Sequence, residues 1–400
     1  MPVSVTCQPF CSRGQGPEAP RMIYLDHNAT TPIAPDVRTE MVSCLDCAFG
    51  NPSSIHAFGQ EARCIVDRAR ERVARLIAAQ PEEIVFTGGG TEANNLAILG
   101  AVTGRESGRA HVITTAVEHQ AVLNPCRHLE ATDCQATYLA VDADGCVAPE
   151  SALEAAREDT TLVSIMLANN EVGTLQPVQK VTELLKGRTT LVHTDAVQAV
   201  GKIPIDVNAL GVDLLSLSGH KLYGPKGVGA LYVRAGTELA PLTFGGHQEH
   251  GLRPGTENVP AIAGLGKACE LAGERLADDA ARLGSLRDSL EQHVLAQLDG
   301  VTINAADAER LPNTTSISFQ GLTADMLAIN LDLLGLAVST GSACSVADQE
   351  PSHVLLAMGS SRTEALSAIR FSLGRGNTSE DIMAAVDRVC QAVGCMGGRR

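Results

Sequence analysis

Four hundred residues is too long for one simple core and suits two domains. A net charge of −15, from 31 basic and 46 acidic residues, and 3% aromatics with no tryptophan argue against a nucleic-acid surface or a base-stacking platform. No apolar run is long enough to cross a bilayer, and no continuous N-terminal apolar segment leads to a cleavage site, so a cytoplasmic chain that binds neither nucleic acid nor membrane is expected.

In chain order, residues 1–21 read as a loose leader rich in Pro, Gly, Ser and Gln. Leader cysteines Cys7 and Cys11 could act as relay thiols or bind metal, but a disordered tail is the plainer reading. The 12 cysteines are scattered, which does not suit the disulfide framework of short secreted chains. Cys44 and Cys47 form a single C-x-x-C and read as a helix pair at i, i+3; no metal site is expected.

Residues 22–264 read as a large domain, its first residues joining a smaller one. Apolar runs at Ile84-Val85-Phe86, Val112-Ile113, Leu162 to Met166, Leu191-Val192 and Leu214-Leu215 alternate with amphipathic stretches such as Gln60–Ala78 and Asn94–Val102. This rhythm predicts a mostly parallel sheet with helices on both faces, with Leu231-Tyr232-Val233 as an antiparallel partner. Residues 265–400 predict a smaller α+β domain. It has a helix over Leu265–Leu298 broken near Gly273 and Gly284, strands at Ile317-Ser318-Phe319 and Ala337-Val338-Ser339, and helices over Ala324–Leu333 and Ser379–Val393.

Parallel sheets bind ligands at the carboxyl ends of their strands, and five successive ends carry chemistry. Gly88-Gly89-Gly90-Thr91-Glu92 before a helix can cradle a phosphate on free N–H groups, or be a plain strand–helix turn. Glu118-His119 offers a histidine that could lie on an aromatic cofactor, and Asn169-Asn170-Glu171 offers groups for a hydroxyl or carboxylate. Asp195, with Gln198 three residues on, can keep a pyridine nitrogen protonated, though an Asp after a strand is more often a helix cap. Lys221, in Ser218-Gly219-His220-Lys221, can form a Schiff base with an aldehyde cofactor. Lysine plus aspartate is the pairing that pyridoxal chemistry requires.

Thr194-Asp195-Ala196-Val197-Gln198-Ala199-Val200-Gly201-Lys202 and Ser218-Gly219-His220-Lys221 resemble the cysteine desulfurases of the class-V aminotransferase group, in detail those of the NifS/IscS-like type. So do Asp26-His27-Asn28-Ala29-Thr30-Thr31-Pro32, Gly50-Asn51-Pro52-Ser53-Ser54, Gly245 to Glu249, Gly255-Thr256-Glu257-Asn258, Ser342-Ala343-Cys344, Glu350-Pro351-Ser352-His353 and Ile369 to Arg375. The resemblance covers nearly all of the chain after residue 21. It implies a fold-type I transferase, α/β, dependent on pyridoxal 5′-phosphate. Lys221 is then the Schiff-base lysine, His119 the histidine stacked on the ring, Asp195 the partner of its nitrogen and Gln198 the partner of its phenolic oxygen. Gly90, Thr91, Ser218 and His220 would hold the phosphate, and Asn170 would line the cofactor site. Thr256 would reach the phosphate of a neighbouring subunit, which implies a homodimer. Arg370, Asn170 and Asn28 would contact the carboxylate of the substrate, L-cysteine.

Cys344 lies among small and polar residues, as in an exposed, mobile loop, with no Lys or Arg within five positions to activate it. By the same resemblance it is the nucleophile that takes the substrate sulfur as a persulfide and passes it to an acceptor or iron–sulfur scaffold protein. The acceptor pathway, whether nitrogenase maturation, iron–sulfur assembly or tRNA thiolation, stays open. A selenocysteine lyase, a small-amino-acid aminotransferase of the same fold, and a non-catalytic cofactor-binding scaffold subunit are the rival readings.

Overall fold

The computed structural model describes residues 21–104, 110–340 and 350–397. Strands are β1 (Ile23–Tyr24), β2 (Ile84–Thr87), β3 (Ala110–Thr115), β4 (Cys134–Leu139), β5 (Thr160–Ser164), β6 (Leu191–Asp195), β7 (Leu214–Ser218), β8 (Gly229–Val233), β9 (Val301–Asn304), β10 (Thr314–Phe319), β11 (Leu336–Ala337), β12 (Ser339–Thr340) and β13 (Ala368–Ser372). The helices in the first part are α1 (Pro35–Cys47), α2 (Ala57–Leu76), α3 (Gly90–Thr103), α4 (Gln120–Glu130), α5 (Pro149–Ala155), α6 (Val178–Leu185) and α7 (Val207–Leu210). They are followed by α8 (Val259–Gln297), α9 (Ala324–Leu333), α10 (His353–Ala357), α11 (Arg362–Ala365) and α12 (Ser379–Gly397).

Seven strands form a central sheet in the order β2-β8-β7-β6-β5-β3-β4. Only β8 runs against its neighbours, β2 and β7. The other six strands therefore deliver their carboxyl ends to one edge. Strands β3, β5, β6 and β7 are buried along almost every residue, polar ones included, because helices cover both faces. One apolar core lies on each face, around Ile113, Val163, Leu215 and Tyr232 on one side and around Leu96, Val112, Leu162 and Leu231 on the other.

A second, antiparallel sheet has the order β12-β13-β10-β9. Its core gathers Leu286, Leu290, Ile317, Phe319, Leu331, Ile369, Phe371 and Val386, and takes in Ile23 and Leu25 from the start of the described chain. Strand β1 pairs in parallel with β11, which binds that start to this second core.

Two features differ from the sequence reading. Helix α8 is continuous through Gly273 and Gly284. Its residues from Val259 to Leu271 pack in the first core, and Leu283, Leu286, Leu290 and Val294 in the second. Burial at both ends outweighs a cost of about 1 kcal/mol per interior glycine. The apolar stretch Ala337-Val338-Ser339 is two short strands, because the chain leaves β11 and joins the other sheet as β12.

Candidate active site

The glycine turn after β2 leads directly into α3. Gly89 has φ +146°, open to glycine and strained for other residues. A Cβ on Gly90 would lie 2.6 Å from Val197 Cγ2. No side chain caps α3, so its first N–H groups and positive dipole end are open to an anion. Gly88 N–H alone is taken, donating to Glu92 Oε2 at 2.8 Å. Gly90, Thr91, Ser218 and His220 line one open cleft of about 880 Å³, joined by Thr30 and Lys226. Burial, with the charges of Lys221 and Lys226 behind it, pushes His220 down to about 4. Its neutral ring bonds Thr30 Oγ1 at 3.1 Å through Nδ1. A neutral histidine and a lysine at a helix N-terminus suit a phosphate.

Asp195 ends β6. Its Oδ2 accepts from Asn94 Nδ2 at 2.6 Å and its Oδ1 from Val197 N–H at 2.9 Å. Both donors keep the carboxylate oriented at the sheet edge. His119 caps α4, its Nδ1 accepting the Ala121 N–H at 3.0 Å, which leaves the proton on Nε2. Protein crowded around this ring lowers its pKa, as does Lys221, while Asp195 raises it. Beneath it, Glu118 is fully buried, and burial raises its carboxyl to about 8. Its Oε1 accepts from Thr115 Oγ1 and from Met166 N–H, both at 2.8 Å.

Lys221 sits on the single helical turn after β7. Its amine donates to Ala29 O at 2.7 Å and to Asn28 O. Burial, then the Arg370 charge, pull it down to about 8, against the opposing pull of Asp26 and Asp195. About a tenth of it is therefore unprotonated at pH 7, far more than for an ordinary lysine, as a nucleophilic lysine needs.

Arg370 comes from β13 of the second sheet. Its guanidinium donates to Asp26 Oδ1 at 2.8 Å and to Asn170 O at 3.0 Å, and its buried Nε has no partner among the described residues. The fork is thus held in place with donor capacity left for a carboxylate. Asn28 is deeply buried, and its amide is committed to the protein. Oδ1 accepts from Lys202 and Asn313, and Nδ2 donates to Asn170 O and Thr314 Oγ1. With all four of these capacities engaged, Asn28 organises the site in this arrangement and has none left for a substrate. Asn170 meets this cluster through its main-chain oxygen. Gln198 Nε2 donates to Asn28 O at 3.0 Å.

Thr256 is exposed, between a short turn and α8, and is not among the residues lining the cleft. That turn is anchored by Glu249, whose carboxylate pairs with buried Arg70 at 2.6 and 2.9 Å and accepts Phe86 N–H at 2.7 Å. Cys344, Cys7 and Cys11 lie outside the described residues. The segment carrying Cys344 departs from β12, where Ser339 pairs with Arg370. It returns at Ser352, bonded to Glu171, and His353, whose Nε2 meets Glu118 O at 2.9 Å. Cys44 is buried and Cys47 exposed on α1. Among the described residues no group of three His, Cys, Asp or Glu could hold a metal ion, and no helix is long and apolar enough to cross a membrane.

The sequence reading assigned no role to Asp26, Lys202 or Lys226, although each sits inside a quoted or adjoining motif. Asn94, Asn313 and Thr314 carried no signal, since their partners lie 101, 285 and 286 positions away. The glycine cradle, the oriented Asp195 and the Lys221 amine with its lowered pKa together fit a phosphorylated pyridine aldehyde.

Residues 23–384 match the family model of the class-V aminotransferases. The cysteine desulfurase IscS of Dictyoglomus turgidum is 48% identical over 367 residues, 92% of this chain and 93% of its own length. The cysteine desulfurase IscS of Methanosarcina thermophila is 45% identical over 93% of this chain and 91% of its own. A solved NifS-like protein superposes with a TM-score of 0.88 at 40% identity, covering 94% of this chain and all of its own. A structure of SspA in complex with cysteine gives 0.78 at 38% identity over 88% of this chain and 98% of its own.

Proposed function

The chain belongs to the class-V aminotransferase family, and from that premise we propose how its residues act on L-cysteine. The protein is a pyridoxal 5′-phosphate-dependent cysteine desulfurase. The observation that carries the residue-level reading is the Lys221 amine, held by the Ala29 carbonyl and drawn down to about 8 by burial and the Arg370 charge.

Gly90, Thr91, Ser218 and His220 would hold the phosphate, Asp195 the ring nitrogen, Gln198 the ring oxygen, with His119 against the ring. When bound, pyridoxal 5′-phosphate supplies the electron sink for breaking bonds at the substrate's Cα and Cβ. Arg370, steadied by Asp26, binds the carboxylate of L-cysteine. The Lys221 amine takes the Cα proton and returns it, and His119 Nε2 is the second proton-carrying atom at the sheet edge. The Cys344 thiolate attacks the substrate sulfur. The Cβ–S bond breaks with its electron pair left on carbon, carbon takes a proton, and the products are L-alanine and a Cys344 persulfide.

The flanks of the Cys344 segment support this role. Thr340 follows Ser339, the strand partner of Arg370, and four residues of chain from it extend at most about 14 Å. The same proposal takes 22–264 as the cofactor-holding domain and 265–400 as the smaller domain that carries the thiol. It also takes the working form as a cytoplasmic homodimer in which Thr256 of each subunit reaches the other's phosphate, and the sulfur recipient as an acceptor protein.

The test is incubation of the loaded protein with L-cysteine and dithiothreitol, with alanine, sulfide and the visible spectrum followed together. Equal alanine and sulfide are expected from the parent chain. Cys344→Ser should keep the cofactor's visible band and lose sulfide release by at least about 100-fold, since the attacking nucleophile is gone. Full sulfide release by that variant would remove Cys344 from the reaction.

A further inference from the structure

Lys202 closes the segment Thr194 to Lys202, yet nothing in the reaction above uses it. Its Nζ donates to Gln198 Oε1 at 2.7 Å and to Asn28 Oδ1 at 2.9 Å. Among the described residues no carboxylate lies within ion-pair distance of it. We infer that Lys202 is a positioning residue that fixes which end of the Gln198 amide faces the cofactor. The inference rests on the proposed contact between Gln198 and the cofactor's ring oxygen.

An amide has a donating and an accepting end, and only hydrogen-bond partners decide between its two orientations. With Gln198 reversed, its NH2 would meet the N–H groups of Lys202. Held as it is, Oε1 faces Lys202 and Nε2 donates to Asn28 O, the carbonyl that the Lys221 amine also reaches. The donor end, with a second hydrogen to give, therefore stands beside the lysine that takes the cofactor. An anionic ring oxygen needs a donor there.

Lys221 and Arg370 face Lys202 across the cluster, and His27, Asp279 and Arg375 line the small chamber it shares with Lys221. Burial, then the charges of Lys221 and Arg370, push the Lys202 amine well below its ordinary value. The same amine, with Asn313, orients Asn28, so one side chain sets two amides of the site.

The test titrates the visible band of the cofactor-loaded protein against pH for Gln198→Leu, Lys202→Met and the double variant. A donor to the ionised ring oxygen holds its titration midpoint down, so losing it raises the midpoint by about one unit, a tenfold change. Lys202→Met is expected to raise it as Gln198→Leu does, and the double variant no further than the larger single shift. Fully additive shifts, or a shift for Gln198→Leu with none for Lys202→Met, overturn the inference. No shift for Gln198→Leu removes the Gln198 contact and the inference with it. Should Lys202→Met fail to load, Lys202→Gln supplies the reading, since its amide keeps an NH2 near the same place. A midpoint near that of the parent then supports the inference, and one matching Gln198→Leu overturns it.

Discussion

The two rims of the cleft are built differently. On the phosphate side many contacts are local: Gly88 bonds Glu92, Asp195 bonds Val197 and His119 bonds Ala121, each within four positions, although Asn94 also reaches Asp195 across 101 and Thr30 reaches His220 across 190. On the carboxylate side, Asn28 reaches Lys202, Asn313 and Thr314 across 174, 285 and 286 positions, and Asp26 reaches Arg370 across 344. Most of the first rim is shaped where strands of the large sheet turn into their helices. The second exists only when the two cores have docked, because β13 belongs to one and the Lys202 turn to the other. Cofactor binding is thus tied to the sheet, and substrate recognition to the assembly of the whole chain.

The largest effect that separates the rims should come from Arg370→Lys. A lone ammonium cannot hold Asp26, Asn170 O and an incoming carboxylate in one plane as the guanidinium fork does. KM for L-cysteine should rise roughly 100-fold, with the cofactor's visible band retained. Steady-state alanine formation and the spectrum of the same sample check this. Loss of the band together with the rise in KM would mean that the rims are not separable.

Gly90→Ala strikes the local rim. The new Cβ would meet Val197 Cγ2 at 2.6 Å, and a β-branched valine turns aside poorly. Val197 N–H also orients Asp195, so the displacement reaches the carboxylate. Affinity of the apoprotein for pyridoxal 5′-phosphate should fall about tenfold, while KM for L-cysteine at saturating cofactor changes little. Titration of cofactor into apoprotein measures the first and steady-state kinetics the second. An equal loss in both would break the comparison.

The same asymmetry explains what could be read in the sequence. Gly88 to Thr91, His119, Asp195 and Lys221 each follow an apolar strand, and a strand end can be recognised from a few neighbouring residues. Asp26 and Lys202 lie in motifs that are easily noticed, yet their work depends on partners far along the chain. The amide of Asn28 looks free to meet a substrate until Lys202, Asn313, Thr314 and Asn170 are brought around it. The expected break of α8 at Gly273 and Gly284 failed for a related reason. Propensity near a glycine is local, whereas the burial that keeps the helix continuous comes from both cores.

The smallest expected effect concerns Glu118, which belongs to both rims. Its carboxylate bonds Thr115, three positions away, and its main-chain oxygen meets His353, 235 positions away. Burial raises its carboxyl from 4.5 to about 8. Unfolded, this carboxyl loses its proton near 4.5; folded, it keeps it to about 8. Between those values the folded state binds more protons, so the stability from this group is full at lower pH and declines as pH rises through the window. Glu118→Gln keeps the acceptor for Thr115 Oγ1 and Met166 N–H and has no proton to lose. Melting temperatures at pH 5 should agree between the two proteins, and at pH 8 the variant should melt higher by a few degrees, a value of order ΔΔG over the unfolding entropy. Parallel slopes would place the pH dependence in other groups, and with it the idea that a neutral acid underlies the junction of the two rims.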